Sequence, residues 1–464
     1  MPETLPRLII SGSQLKTKSG KSVLLRGVNI VSKTSQTPEQ LGFDDHNAEF
    51  LKDHGFTVVR LGLLWSSIQP YPSKNRIEEL YDLKYLASIQ RTIRLLAKYN
   101  IYTLLDFHQD AYAPLWGDGA PYWAVSIGGQ NQLSVGFPYN IFGGSPVQTD
   151  VIFAIDAFWQ DTLIIDGLSV QTHYLNMIQF VANYFRNEKG NILGYDPMNE
   201  PTPGSLWIEA KNIEDPTDFS KGTPTFDAIL SLFYQKAIQK IRLGDPKSNI
   251  WYEPNGLFGL GAQTYLPKFN FNNIGFNFHN YDGPNFLSPI LNARLYQKMA
   301  DVPLLCSEFG ATTDATRVKL LMKLNDEYQL SAIYWTYFNN PQYAISNTKG
   351  QLPEHSQDQG LIVNMTKPLQ APNLLKDVMH ALTQPYPLFI SGTLISFSFH
   401  DTIFRLKYIA IYGITTIIIP SLLYPHGYCI KINNGKLISQ TDTKLKILGY
   451  PGIIKLVFKP KHIL

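Results

Sequence analysis

Asn199 and Glu200 stand back to back in the stretch GYDPMNEPTPG, and Pro201 follows at once. An apolar run that looks like a strand therefore ends on an amide and a carboxylate, with prolines fixing the turn. A second run, VPLLCS, ends on Glu308. Two carboxyl groups brought face to face can divide labour. One stays protonated and gives its proton to a leaving oxygen, while the other is ionised and attacks. Retaining cleavage of a glycosidic bond needs such a pair about 5–5.5 Å apart. The Asn199 amide can donate to the sugar 2-hydroxyl, a contact that strengthens in the transition state. Glu200 is read as acid/base and Glu308 as nucleophile. The bland alternative for Glu308 is a structural carboxylate paired with Arg60 of TVVRLGL, which otherwise supports the nucleophile.

Other strand-like runs end in polar or aromatic groups. Asp106, His108 and Asp110 come from DFHQD, His279 and Tyr281 from NFHNY, and Trp335 from SAIYWTYF. Alternation places Asp106, His108 and Asp110 on one face. That spacing also suits a metal ion, and His108 could be a core histidine. Retaining hydrolysis needs no metal, so neither metal nor cofactor is expected.

Something must carry these groups to one place. The first 380 or so residues alternate short apolar runs with longer amphipathic ones. Strand candidates lie near Leu25, Val59, Leu104, Leu193, Trp251, Phe276, Leu305 and Trp335. LKYLASIQRTIRLLAKYN presents Leu83, Leu86, Ile89, Ile93 and Leu96 at helical spacing. Eight such units predict a (β/α)8 TIM barrel over residues 1–383, with its site at the C-terminal ends of the strands. An aromatic, Gly-rich insertion interrupts it from about Ala111 to Gly167. After LTQPYP helical periodicity disappears, and short β-branched segments predict a small antiparallel β-sandwich over residues 384–464. The apolar stretch Tyr408–Tyr424 reads as strands of that sandwich, since Gly413 and Pro420 interrupt it.

Composition sets bounds. Hydrophobic residues make up 44% of the 464 and charged residues 17%, which suits a large globular core. The net charge of +3 gives no nucleic-acid signature. Cys306 and Cys429 lie too far apart in sequence to read as a zinc motif or a disulfide framework. No signal peptide is legible at the start. From Tyr386 onward there are nine Lys/Arg against two Asp/Glu, so that segment is basic. Basic charge there is a solvated surface or an attraction to anionic membranes or glycans.

The ordered set of NEP at the fourth strand, a Glu at the seventh, RGVN, VVRL, FHNY and the strand-eight Trp resembles glycoside hydrolase family 5. DFHQD, NEPTPG and the tail QPYPLFISGTLISFSF resemble its endoglycoceramidase branch, over nearly the whole chain. That resemblance implies the acid/base and nucleophile roles for Glu200 and Glu308, and sugar contacts for Asn199, Asp106, His108, Asp110, His279 and Tyr281. It also implies a Trp335 platform and a first-loop sugar contact from Lys33. The implied substrate is a glycosphingolipid, cut between oligosaccharide and ceramide, by a monomer with transient membrane contact. Secretion or export is implied too. For such an enzyme the aromatic insertion supplies the lipid side, through Trp116, Trp123 and Phe137. The rivals are a β-glucosidase of glucosylceramide or steryl glucoside, an endoglucanase, or an inactive glycolipid binder.

Overall fold

The structure is a computed structural model that describes residues 5–73, 80–115, 117–125, 149–210, 214–215, 220–281, 286–338 and 360–461. Trp116 and Phe137 lie outside the described residues.

Eight parallel strands close into a barrel. In chain order they are Arg26–Ile30, Val58–Leu64, Tyr102–His108, Ile192–Asp196, Ile250–Tyr252, Ile274–Asn280, Leu304–Gly310 and Ser331–Trp335. Strands buried on both faces read as continuous apolar runs. Every residue of Val58–Leu64 is buried, Arg60 included. Helices cover the outside. Leu83–Lys98 starts at Asp82, whose side chain accepts from the Lys84 and Tyr85 amides. It buries Leu86, Ile89, Ile93 and Leu96 completely, each worth about 1.5–3 kcal/mol. Leu83, at the first turn, stays exposed.

The C-terminal segment forms two antiparallel sheets. One has four strands, in the order Gly392–His400, Ile403–Ala410, Gly452–Pro460, Tyr428–Ile432. The other has seven, and only four come from the C-terminal segment: Tyr386–Ile390, Gly413–Ile418, Lys444–Gly449 and Gly435–Gln440. Its remaining strands are Leu8–Ser11, Gln14–Thr17 and Ser22–Val23, from the region read above as barrel domain. The run Ser22–Ile30, which reads as one strand, is split between two sheets. Leu24 donates its amide to Leu388 O at 3.1 Å, and Leu25 donates to Ser331 Oγ at 3.0 Å. A shared apolar cluster joins Leu8, Leu25, Val58 and Ile333 to Leu388 and Ile417, so the sandwich is fused to the barrel.

Tyr408–Tyr424 contains the strands Ile403–Ala410, in part, and Gly413–Ile418, and no described helix is long and apolar enough to cross a membrane. The insertion contains a helix, Thr149–Trp159, and a hairpin of Ile164–Ile165 with Leu168–Ser169.

Candidate active site

The site grows from Arg60. Its guanidinium is fully buried at the middle of the second barrel strand and is surrounded by strand-end carboxylates. It reaches Glu308 Oε1 at 2.6 Å, Asp196 Oδ2 at 2.9 Å, Glu253 Oε1 at 3.0 Å and Asp106 Oδ1 at 3.0 Å. It also donates to Asn199 Oδ1 at 2.8 Å and Asn29 Oδ1 at 3.2 Å. A buried cation needs such a shell, because each unpaired ion in the interior costs several kcal/mol.

Glu200 enters through a constrained turn. Its φ is +40°, in the left-handed region that side chains rarely adopt. Three contacts hold it there. Its amide donates to Glu253 Oε2 at 2.9 Å. Its carbonyl accepts from Gln109 Nε2 at 3.0 Å and from Thr202 Oγ1 at 3.1 Å. Gly204 closes the turn at φ +58°, and a β-carbon there would stand 2.1 Å from Asp156 Oδ1. Pro201, Pro203 and Gly204 thus set a tight turn beneath a carboxyl that remains partly open.

Glu308 is 4% exposed. Tyr281 donates its hydroxyl to Glu308 Oε2 at 2.8 Å. A carboxylate oxygen of Glu200 lies within 4.8 Å of one of Glu308. His279 sits between them, with Nδ1 at 2.7 Å from Glu200 Oε1 and 3.5 Å from Glu308 Oε2, and Nε2 at 3.2 Å from Glu253 Oε1.

Charge is distributed unevenly over this shell. Burial disfavours a charged His279 ring, but Glu253, Glu308 and Glu200 outweigh it and hold its pKa well above the ordinary value. Burial likewise opposes charge on Glu253, yet His279, Arg60 and Asp196 hold it at about 2. Asp196 is raised well above the carboxylate range by burial and Glu253. Burial lifts Glu308 to about 7; Glu200 and Glu253 add to the shift while His279 and Arg60 oppose it. Two cations therefore hold one permanent carboxylate, Glu253, and one poised carboxylate, Glu308.

A second group of side chains forms a wall beside this shell. Burial and Lys33 push His108 well below its ordinary pKa, so the ring is neutral. Its Nδ1 is 2.7 Å from Asp106 Oδ2, within hydrogen-bond reach. Nε2 is buried, has no hydrogen-bond partner among the described residues, and lies 3.6 Å from Asp110 Oδ2. Trp335 stacks on His108 at 5.5 Å and 12°. The Lys33 ammonium pairs with Asp110 and lies 5.0 Å over the Trp335 ring.

All ten sugar-side and catalytic positions read from the sequence converge here. Their depths differ. Asp106 is wholly buried and meets Arg60 and His108 rather than an open cleft. Asn199 accepts from Arg60 and donates to Gln109 O at 3.0 Å. Trp123 is half-buried: it packs edge-on against Trp65 and His173 and donates to Gln69 O at 3.2 Å. Sequence reasoning missed Asp196, Glu253, Asn29 and Asn277, which complete the shell around Arg60. Asp118, also missed, lies 3.7 Å from Lys33.

Two triplets bring ligand-type atoms within 4.8 Å: His108, Asp110 and Asp118, and Glu200, His279 and Glu308. Each already holds a cationic group, Lys33 in the first and the His279 ring in the second. Neither is arranged as a vacant metal cage.

A parallel eight-stranded barrel with opposed carboxylates after its fourth strand and on its seventh defines a barrel glycosidase. The chain belongs to glycoside hydrolase family 5: the family's cellulase profile matches residues 17–341, and the family 5 C-terminal domain matches residues 384–451. The chain is similar to endoglycoceramidase I of Rhodococcus hoagii (strain 103S), at 24% identity, covering 94% of this chain and 84% of that one. An endoglycoceramidase of Hydra vulgaris is 26% identical, covering 92% and 83%. Among solved structures, the ganglioside GM3 complex of endo-glycoceramidase II from Rhodococcus sp. shares the fold, with a TM-score of 0.74 at 21% identity over 97% of this chain and all of that one.

Proposed function

We propose that this protein is a retaining endo-β-glycosidase that releases intact oligosaccharide from ceramide. The facing pair Glu200 and Glu308 carries the reading. The substrate class is supported by near-full-length similarity to proteins named endoglycoceramidase, sandwich included.

In this mechanism Glu308, aimed by Arg60 and Tyr281, attacks the anomeric carbon. Glu200 protonates the departing ceramide oxygen, and a glycosyl-enzyme forms. Glu200 then takes a proton from water, and the water hydrolyses the ester. The His279 imidazolium stabilises whichever of the two carboxylates is ionised. His108 Nε2 accepts from a sugar hydroxyl, Asp110 and Lys33 bind others, and Trp335 is the platform. The lipid side is assigned to Trp116, Phe137 and the half-buried Trp123.

Ganglioside GM3, lactosylceramide and glucosylceramide, each followed by thin-layer chromatography, test the substrate. Intact oligosaccharide and free ceramide are expected. Activity on glucosylceramide alone would favour the β-glucosidase rival, and binding without products an inactive binder.

Double displacement returns the starting configuration. Proton NMR in the first minutes of turnover is expected to show the β-anomer before mutarotation. An α-anomer appearing first would remove the glycosyl-enzyme.

The pH profile follows from Glu308. The nucleophile must be ionised, and burial lifts its pKa to about 7. Below that value kcat/KM on a soluble aryl lactoside falls about tenfold per unit. A profile flat from pH 7 to pH 5 would show that Arg60 and His279 hold Glu308 ionised throughout.

A further inference from the structure

The strand pairing of the four-stranded sheet gives its two faces opposite characters. Phe404, Leu406 and Tyr408 of one central strand, and Ile454, Leu456 and Phe458 of the other, are buried against the second sheet. The residues between them point outward. Across that outward face Arg405 pairs with Val457, which pairs with Lys431, and Lys407 pairs with Lys455. Lys459 pairs with Cys429 on the same face. Five cations thus share one face, on strands about 4.8 Å apart. None of the five makes an ion pair among the described residues. The segment's two acidic residues, Asp401 and Asp442, lie in turns, and Asp401 is engaged by His400 at 2.8 Å.

Like charges directly opposite each other destabilise a sheet, and Lys407 faces Lys455. Among the described residues no counter-charge answers that repulsion, and an external anionic surface would supply one. One end of the same face is apolar. Ile409 pairs with Ile453, and the adjoining turn carries Ile411 and Tyr412. These four are 49–68% exposed, and Tyr412 lies beside Tyr450 at 6.4 Å. A soluble polyanion would answer the cations and leave the isoleucines in water. A bilayer answers both, with headgroup charge for the lysines and an interfacial layer for isoleucine and tyrosine.

We propose that this sheet face is a docking surface for an anionic lipid bilayer. It goes beyond the assigned reaction and acts independently of the substrate in the active site.

The test uses the full chain and vesicles that contain no glycolipid, so the outcome does not depend on the substrate reading. Vesicles of phosphatidylcholine with phosphatidylserine are expected to carry the protein down on sedimentation at low salt, and pure phosphatidylcholine vesicles are not. Lys407→Gln combined with Lys455→Gln removes two cations at about fivefold each, so affinity should fall about twenty-five-fold. The same pair of changes relieves the cross-strand repulsion, so the thermal midpoint should hold or rise. Activity on a soluble aryl lactoside should not change. Equal binding to charged and neutral vesicles, or no binding to either, overturns the proposal. So does a variant that binds charged vesicles as the parent does, or retention on heparin without vesicle binding.

Discussion

An Arg60→Met protein should be both inactive and about 3–5 kcal/mol less stable at neutral pH. Methionine keeps much of the apolar stem of arginine but leaves Asp106, Asp196, Glu253 and Glu308 without the cation they share, and breaking a buried ion pair on one side costs that much. The sign of the pH effect follows from the carboxylates. Burial already lifts Asp106 and Glu308 to about 7, and losing the guanidinium lifts both further. A carboxyl whose pKa is raised on folding costs stability only where the unfolded chain ionises, above about pH 4. The deficit against the parent protein should therefore be greatest at pH 7 and above, and should close as pH falls toward 4. Urea unfolding at pH 7.5 and at pH 4.5 measures it. A difference under about 1 kcal/mol at pH 7.5 would mean that the shell is already neutral and that Arg60 is a donor rather than a counter-charge.

The second large effect separates the two glutamates. Glu308→Ala should lower turnover by at least about ten-thousandfold on every substrate, because no covalent intermediate can form. Glu200→Ala should lose a comparable amount on glycolipid, whose ceramide oxygen needs a proton, and much less on an aryl glycoside with a good leaving group. Azide should then intercept the intermediate of Glu200→Ala and give the β-glycosyl azide. In Glu308→Ala azide can only take the place of the nucleophile and give the α product. A β-azide from Glu308→Ala would reverse the two assignments.

The barrel was legible because of its own physics. Parallel strands are buried on both faces, so all eight are apolar runs, and most stop at a polar group that has to be explained. The carboxylates beneath the reacting pair were harder to read. Glu253 ends the shortest barrel strand, Ile250–Tyr252, and it is followed by proline just as Glu200 is. That repeated Glu-Pro was the available signal. Asp196 was hidden inside a motif whose two most obvious residues had already been given roles. In the insertion, Val151, Ala154, Ile155 and Phe158 are buried at helical spacing, a pattern masked by the aromatics and glycines around it. Asp166 and Gly167, at φ +49° and +80°, form the Asp-Gly turn that a two-residue hairpin favours. The strands Leu8–Ser11, Gln14–Thr17 and Ser22–Val23 had no local signal of comparable strength. They are two to four residues long, and their place in the sheet depends on Tyr386–Ile390, a partner from the far end of the described chain.

That partnership bears on how the molecule is made. During synthesis the eight barrel strands leave the ribosome before Tyr386–Ile390 exists, so Ser22–Val23 must wait with an open edge through the whole of barrel assembly. Sheets closed by such distant pairings fold slowly, and their unpaired edges invite aggregation in the interval. Once closed, the sheet works as a clasp: Ser22–Val23 cannot leave Tyr386–Ile390 without opening the apolar cluster that barrel and sandwich share.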